Sequence, residues 1–327
     1  MTDATLATWR SPDLEIKVGV SACLLGEEVR YDGGHKRDGF VVDTLGPHVT
    51  WVAVCPEMDI GLGTPREAIR LQGDASAPRL IGTKTGLDLT RRMTDYARSR
   101  VRALAGLGLS GYILKRASPS CGMERVKVYS EDGMPGRLGR GLFAGALMDG
   151  LPLLPVEEEG RLSDPRLREN FITRVFAYRR LQALRESGGR PRDVVAFHTA
   201  HKFLLLAHSP RHYATLGRLV AGQPAGARAG WLEAYAEQLM AALRVLATTK
   251  KHVNVLQHLM GFFKDRLAPG EKRELLGLIE DYARGLVPLV VPITLVNHYV
   301  ARFDLAYIHD QVYLRPHPKE LMLRNHV

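Results

Sequence analysis

Cysteine is scarce in this chain, with three in 327 residues. No two of them form a Cys-x-x-Cys pair, so the usual spacing of a structural zinc site is missing. A low, odd count also argues against a disulfide framework. No apolar run reaches the ~18 residues that a membrane-spanning helix needs, and no membrane partner is expected. The opening MTDATLATWRSPDLE has no basic segment followed by an apolar core, and the expected compartment is the cytoplasm. The glycine-rich stretch from Gly26 to Lys36 lacks the Gly-Lys-Ser/Thr ending of a phosphate-binding loop. It does not match a dinucleotide fingerprint either. Internal repeats and long low-complexity tracts are absent, and no obligate protein partner is evident.

The three cysteines that are present share one grammar. Each follows a short apolar run that reads as a buried strand closed by a turn. Ile16-Lys17-Val18-Gly19-Val20 leads to Cys23, Val49-Thr50-Trp51-Val52-Ala53-Val54 to Cys55, and Tyr112-Ile113-Leu114 to Cys121. In open α/β sheets, ligands bind outside the carboxyl ends of the strands. Thiols 32 and 66 residues apart can therefore converge on one point.

The alternation of strands and helices predicts an α/β amino-terminal domain with a parallel-rich sheet over residues 1–160. Within it, residues 1–14 read as a loose arm, and a short helix starts at Phe40. Ile69–Leu71 and Arg79–Ile81 read as a hairpin, and Leu89–Leu107 as a helix. Val126–Tyr129 is an edge strand, Gly133–Gly141 a flexible segment, and Leu151–Val156 the final strand. Glu157-Glu158-Glu159-Gly160 marks a boundary. From Asp164 the periodicity is helical, which predicts an all-α carboxyl-terminal domain over 161–327. Its Asp-Pro start supplies an N-cap and a proline at the first helical position. One predicted helix runs from Val253 to Leu267.

Charge divides at the same place. Residues 161–327 hold 25 Lys/Arg and 14 Asp/Glu, a net of +11; residues 1–160 hold 20 and 21, a net of −1. Ten of the 12 histidines lie in the second part. A basic domain attracts polyanions, nucleic acid foremost, although a basic surface also serves solubility alone. Lys250, Lys251, Asn254, His258 and Lys264 fit one helical face for phosphate contact, with Lys202 and Arg211 near them. Tyr213 and Tyr299 are candidates to stack on a splayed base. The alternative for the histidines is a metal site, since His201 and His208 lie two helical turns apart.

Four readings compete for the cysteines: inert buried thiols, a zinc site, a lone thiol nucleophile, and an iron–sulfur cluster. A cluster accepts thiolates dispersed in sequence and normally takes four. Three would leave one position open, the condition for a reactive centre. The neighbouring residues suit a polar, neutral substrate. Glu57, two residues after Cys55, is a candidate general base. Asp32 is a second carboxylate, in an Asp-Gly pair that also reads as a simple turn. Ser118 and Ser120 flank Cys121 as hydrogen-bond donors. Lys115 and Arg116 can hold an anion or offset a cluster's negative charge.

These residues carry a resemblance. Cys23-Leu24-Leu25-Gly26, Val29-Arg30-Tyr31-Asp32-Gly33, Cys55-Pro56-Glu57 and Ser118-Pro119-Ser120-Cys121-Gly122 resemble the motifs of thiouracil desulfidases of the TudS type (DUF523), over roughly residues 15–160. His201-Lys202, Ala207-His208-Ser209-Pro210, Lys251-His252 and Leu256-Gln257-His258-Leu259-Met260-Gly261 are similar to the DUF1722 (YbgA-like) domain. Tyr282–Tyr299 and Tyr313-Leu314-Arg315-Pro316-His317-Pro318 extend that second likeness. The fused pair resembles RudS-type desulfidases of 4-thiouridine in tRNA. The resemblance implies a 4Fe–4S cluster held by Cys23, Cys55 and Cys121, with one iron open. It implies a non-redox hydrolysis in which water, activated by Glu57 or Asp32, replaces sulfur. A serine steers the ring or the water, and tRNA is the partner. The alternatives are a desulfidase of the free thiobase, or a non-enzymatic iron–sulfur sensor that binds RNA.

Overall fold

A computed structural model describes residues 9, 11, 14–130, 133–222 and 229–326. The chain forms two compact units, Glu15–Asp164 and a second from Pro165 onward that also takes in Trp9.

The first unit runs β1 (Lys17–Ser21), β2 (Thr50–Val54), a one-turn helix α1 (Pro56–Asp59), β3 (Ile69–Gln72), β4 (Arg79–Gly82) and α2 (Thr90–Ala105). It continues with β5 (Gly111–Leu114), β6 (Val126–Tyr129), β7 (Pro135–Gly139), α3 (Leu142–Gly150) and β8 (Val156–Glu158). One sheet has the order β2-β1-β5-β8, with every neighbouring pair parallel. Its central strand β5 is buried at all four residues, which is why Gly-Tyr-Ile-Leu reads as a continuous run without alternation. Gly19 of β1 lies opposite Tyr112 of β5. A Cβ at Gly19 would stand 2.1 Å from the Tyr112 ring, so the glycine makes room for a fully buried tyrosine. Met93, Ala97, Val101 and Leu104 form the buried stripe of α2, the spacing of a helix with one face on a core.

The second sheet has the order β4-β3-β6-β7. β3 and β4 form the expected antiparallel hairpin, while β3 and β6 pair in parallel. Two expectations need correction here. The glycine-rich segment after Gly133 is a strand, β7, paired antiparallel with β6. The final strand lies at Val156–Glu158, beyond the apolar Leu151–Val156 run. Glu157 and Glu158 are therefore buried sheet residues, and the division between the units falls a few residues later, after Asp164. Charge alone is a poor guide where local partners satisfy it: Glu157 accepts from Arg161 at 2.6 Å and Glu158 from the Met123 amide at 2.7 Å.

The second unit is helical: α4 (Pro165–Glu186), α5 (Pro191–His208), α6 (Pro210–Ala221), α7 (Ala229–Arg244), α8 (Thr249–Met260), α9 (Pro269–Ala283), α10 (Val290–Arg302) and the short α11 (Ala306–His309). α4, α5, α6 and α9 each open on a proline, where its missing N–H costs nothing. Ser209 and Thr248 cap α6 and α8 through their side chains. α5 is the core helix and packs on α6, α7 and α8. The helix expected over Val253–Leu267 instead spans Thr249–Met260 and ends in a turn. The arm expected to be loose lies largely outside the described residues. Its Trp9, however, is buried at 2% exposure, edge-on to Phe197 of α5. Among the described residues, no helix is long and apolar enough to cross a membrane.

Candidate active site at the carboxyl ends of the parallel strands

β2, β1 and β5 are adjacent in the first sheet, and each delivers one cysteine beyond its carboxyl end. Cys23 sits in the 3-10 turn Ala22–Leu25 directly after β1. Cys55 follows β2 as the residue before α1, whose first position is Pro56. Cys121 closes the turn that begins after β5. That turn is held by the Ser118 hydroxyl, which accepts from the Ser120 and Cys121 amides at 3.2 and 3.1 Å. The Ser21 hydroxyl accepts from the Lys115 amide at 3.0 Å, tying the end of β1 to the end of β5.

All three sulfurs border one cavity of about 350 Å³, with Arg30, Glu57, Arg66, Lys115, Arg116 and Ser118 also in its wall. Among the described residues, no group of three His, Cys, Asp or Glu side chains is placed to hold a single metal ion. The three cysteines share the wall of one cavity. Burial pushes the Cys23 thiol up to about 11, partly offset by Lys115. Burial also raises Cys55 and Cys121, and the Glu57 carboxylate adds to both shifts. Without added positive charge in the cavity, the protonated thiol is the favoured form at all three positions.

Glu57 is gripped on both oxygens. Ser120, fully buried, donates to Oε1 at 3.0 Å. Arg66 pairs with Oε2. The same guanidinium donates to the carbonyls of Val29 at 3.0 Å and Gly63 at 2.6 Å. Arg66 is thus a buried clamp between Glu57 and the loop that precedes Asp32. Lys115 is paired with Glu159, so its charge is already compensated.

The structure brings Glu57, Ser118, Ser120 and Lys115 to the thiols, but not Asp32. Asp32 is exposed and accepts from the Gly34 amide at 3.2 Å and from Arg30; the turn hydrogen bond is the main reason its carboxyl sits below the usual range. It serves as a turn residue, as its Asp-Gly context allows. Arg66, Ser21 and Glu159 belong to the site without having been singled out in sequence. Arg66 stands alone in a Thr-Pro-Arg turn with no motif around it. Glu159 was hidden in a run of glutamates.

In the second unit, Lys250, Asn254 and His258 form an exposed stripe on α8 at four-residue spacing. Lys251 points elsewhere: its ammonium donates to the His208 and Leu246 carbonyls at 2.6 and 3.3 Å. Lys264 lies beyond the end of α8 and so leaves the expected single face. Arg211 is exposed on α6, and Lys202 is half-buried on α5 with its ammonium over the Phe203 ring. His201 donates from Nδ1 to the Phe197 carbonyl, and His208 from Nδ1 to the Val245 carbonyl. Each buried ring is thus partnered inside the helical core.

The 2-thiouracil desulfurase family model matches residues 18–159, and DUF1722, a family of unknown function, matches residues 202–318. The uncharacterised protein YbgA of Escherichia coli (strain K12) is 30% identical over 161 residues, 49% of this chain and 95% of its own. The uncharacterised protein YbbK of Bacillus subtilis (strain 168) is 34% identical over 108 residues, 32% of this chain and 71% of its own. A solved structure, the [4Fe-4S]-dependent thiouracil desulfidase TudS, is 32% identical and covers 46% of this chain and 95% of its own, with a TM-score of 0.38. The chain therefore belongs to the 2-thiouracil desulfurase family through its first unit and to the DUF1722 family through its second.

Proposed function

We propose that the protein hydrolyses the C–S bond of 4-thiouridine in tRNA, giving uridine and sulfide. The observation that carries this reading is a carboxylate, Glu57, fixed between Ser120 and Arg66 at the wall of a cavity bordered by three thiols. The basic second unit supports a polyanionic substrate in preference to a free base.

The donor set suits an iron–sulfur cluster. A cluster takes each thiolate on a different iron, and three cysteines from three adjacent strand ends line one cavity. Cys23, Cys55 and Cys121 would hold it. When bound through three cysteines, such a cluster supplies a Lewis-acidic iron with affinity for a soft thiocarbonyl sulfur.

The chain's own residues do the rest. Glu57 takes a proton from water at whichever carboxylate oxygen faces the substrate, and the water oxygen bonds to the ring carbon that carried sulfur. Ser120 and Arg66 keep the carboxylate from rotating away. Ser118 keeps the Cys121 turn closed and leaves its own O–H for the ring. Lys115 and its partner Glu159 present a neutral pair at the rim. The sulfur departs as hydrosulfide with the proton inventory of one water, so no electron enters or leaves.

The test is nucleoside analysis of tRNA after anaerobic incubation with the reconstituted protein. 4-Thiouridine should fall and uridine rise in equal amount, with sulfide released. Intact 4-thiouridine in tRNA beside rapid loss of free thiouracil would sink the tRNA reading. Replacing any one of Cys23, Cys55 or Cys121 by Ser should remove iron and activity together.

A further inference from the structure

Next to the thiol cavity lies a larger groove of about 720 Å³, built where the second sheet meets the Cys121 turn. The two share walls at Ala68, Ile69, Arg116, Ala117 and Pro119, so they are immediate neighbours. The first 160 residues carry a net charge of only −1, yet this groove is locally basic. Arg116, Arg125 and Lys127 are exposed in it; the Arg116 amide donates to Glu159 at 2.7 Å, but none of the three side-chain cations is in a salt bridge among the described residues. Arg70 also lines it. Its Nε is buried without a hydrogen-bond partner, and its guanidinium lies 5.2 Å from the centre of the Tyr129 ring.

The acidic residues of the groove do not cancel these charges. Glu124 is paired with Arg161 at 3.0 Å. Glu158 is buried, and burial holds its carboxyl above the usual range. The backbone is also unusual here. Ala117 and Arg125 both have positive φ, 60° and 54°, which costs a non-glycine residue of order 1 kcal/mol and tends to persist at functional sites. The parallel pairing Leu71↔Val128 buries those two residues and leaves Arg70 and Lys127 as neighbours on the opposite face.

We propose that this groove binds the backbone phosphates of an RNA strand beside the nucleotide whose base enters the thiol cavity. The proposal rests on the reading of the protein as an RNA desulfidase. It adds that the first unit grips the strand locally, through Arg70, Arg116, Arg125 and Lys127. Free cations in a groove of this size suit phosphates, and phosphate contacts fix register without reading sequence.

The experiment uses the full-length, cluster-loaded chain and the double variant Arg125→Gly, Lys127→Ala. Glycine tolerates the left-handed backbone at position 125, and Lys127 is exposed, so folding is preserved; an unchanged melting curve checks this. Binding of a fluorescent, unthiolated single-stranded oligoribonucleotide is measured by anisotropy across a salt series. The expected result is about tenfold weaker binding and a log K against log[salt] slope shallower by about 1.4, the loss of two phosphate contacts to a single strand. In parallel, the ratio of kcat/KM on a short thiolated oligoribonucleotide to that on free 4-thiouracil should fall about tenfold. An affinity and salt slope equal to those of the unaltered chain overturn the groove. Altered binding with a thiolated strand left intact by the unaltered chain keeps the groove and sinks the desulfidase reading instead.

Discussion

Glu57 has a hydrogen-bond or ionic partner on each carboxylate oxygen, and both partners are buried. In its proposed role as base, Glu57 is oriented before substrate arrives, which is where much of such a residue's catalytic value lies. Glu57→Gln keeps the shape and an acceptor for Ser120 but cannot take a proton. Its kcat should fall roughly 100-fold or more, while iron content and the visible spectrum stay as in the unaltered protein. Loss of iron in this variant would reassign Glu57 to a structural or ligand role. The cysteines could be read from sequence because each ends a strand-like run in a Ser/Pro/Gly turn. Glu57 was legible through its closeness to Cys55. Arg66 was not, because what makes it part of the site is reach: its side chain bonds the carbonyl of Val29, 37 residues earlier in sequence. Asp32 failed for the opposite reason, since its local turn chemistry consumed the carboxylate that motif reading had offered for catalysis.

At the scale of elements, the parallel sheet sets the distances between the thiols, and Gly19 is where that sheet is least forgiving. Gly19→Ala would drive a methyl into the Tyr112 ring of the neighbouring strand. Overpacking of this kind costs about 1–3 kcal/mol, and the strain sits between the strands that carry Cys23 and Cys121. The expected outcome is a lower melting temperature for the first unit and reduced iron retention during gel filtration. Full iron retention with unchanged melting would mean that the strands separate freely. The helices and the buried strands were visible as periodicity and apolar runs. β7 and β8 were not: β7 is glycine-rich, and β8 is Val-Glu-Glu. Both are strands because of the partners they meet, which local pattern cannot report.

Across the whole molecule, burial in the helical unit favours the neutral form of His208 and His252. Burial is the main reason His208 is lowered to about 4 and His252 falls well below its ordinary value; nearby Arg324 and Lys251 push both the same way. In the unfolded chain both return to about 6.5, so between these values the unfolded state binds more protons. The stability they contribute is complete above about pH 6.5 and is lost as pH falls toward 4. For His208 alone the full swing is roughly 3 kcal/mol. Denaturant midpoints for the helical transition should therefore drop between pH 7 and pH 4.5; a flat profile would show that both rings already protonate in the folded protein. Trp9→Ala should cost about 3–5 kcal/mol in the same transition, because the indole is buried against Phe197. A surface-like effect under 0.5 kcal/mol would contradict that burial.

Trp9 also bears on the order in which the protein is finished during synthesis. Domains tend to fold as units, the amino-terminal one first, while the ribosome is still at work. The residues that line the cavity with the three thiols all lie before Pro165, so that lining is synthesised before α5 exists. Trp9, made before all of it, has no seat until Phe197 and His201 emerge. Trp9 is thus synthesised early and seated late. A nascent chain halted before α5 would carry a finished thiol pocket and a Trp9 without its ring partners.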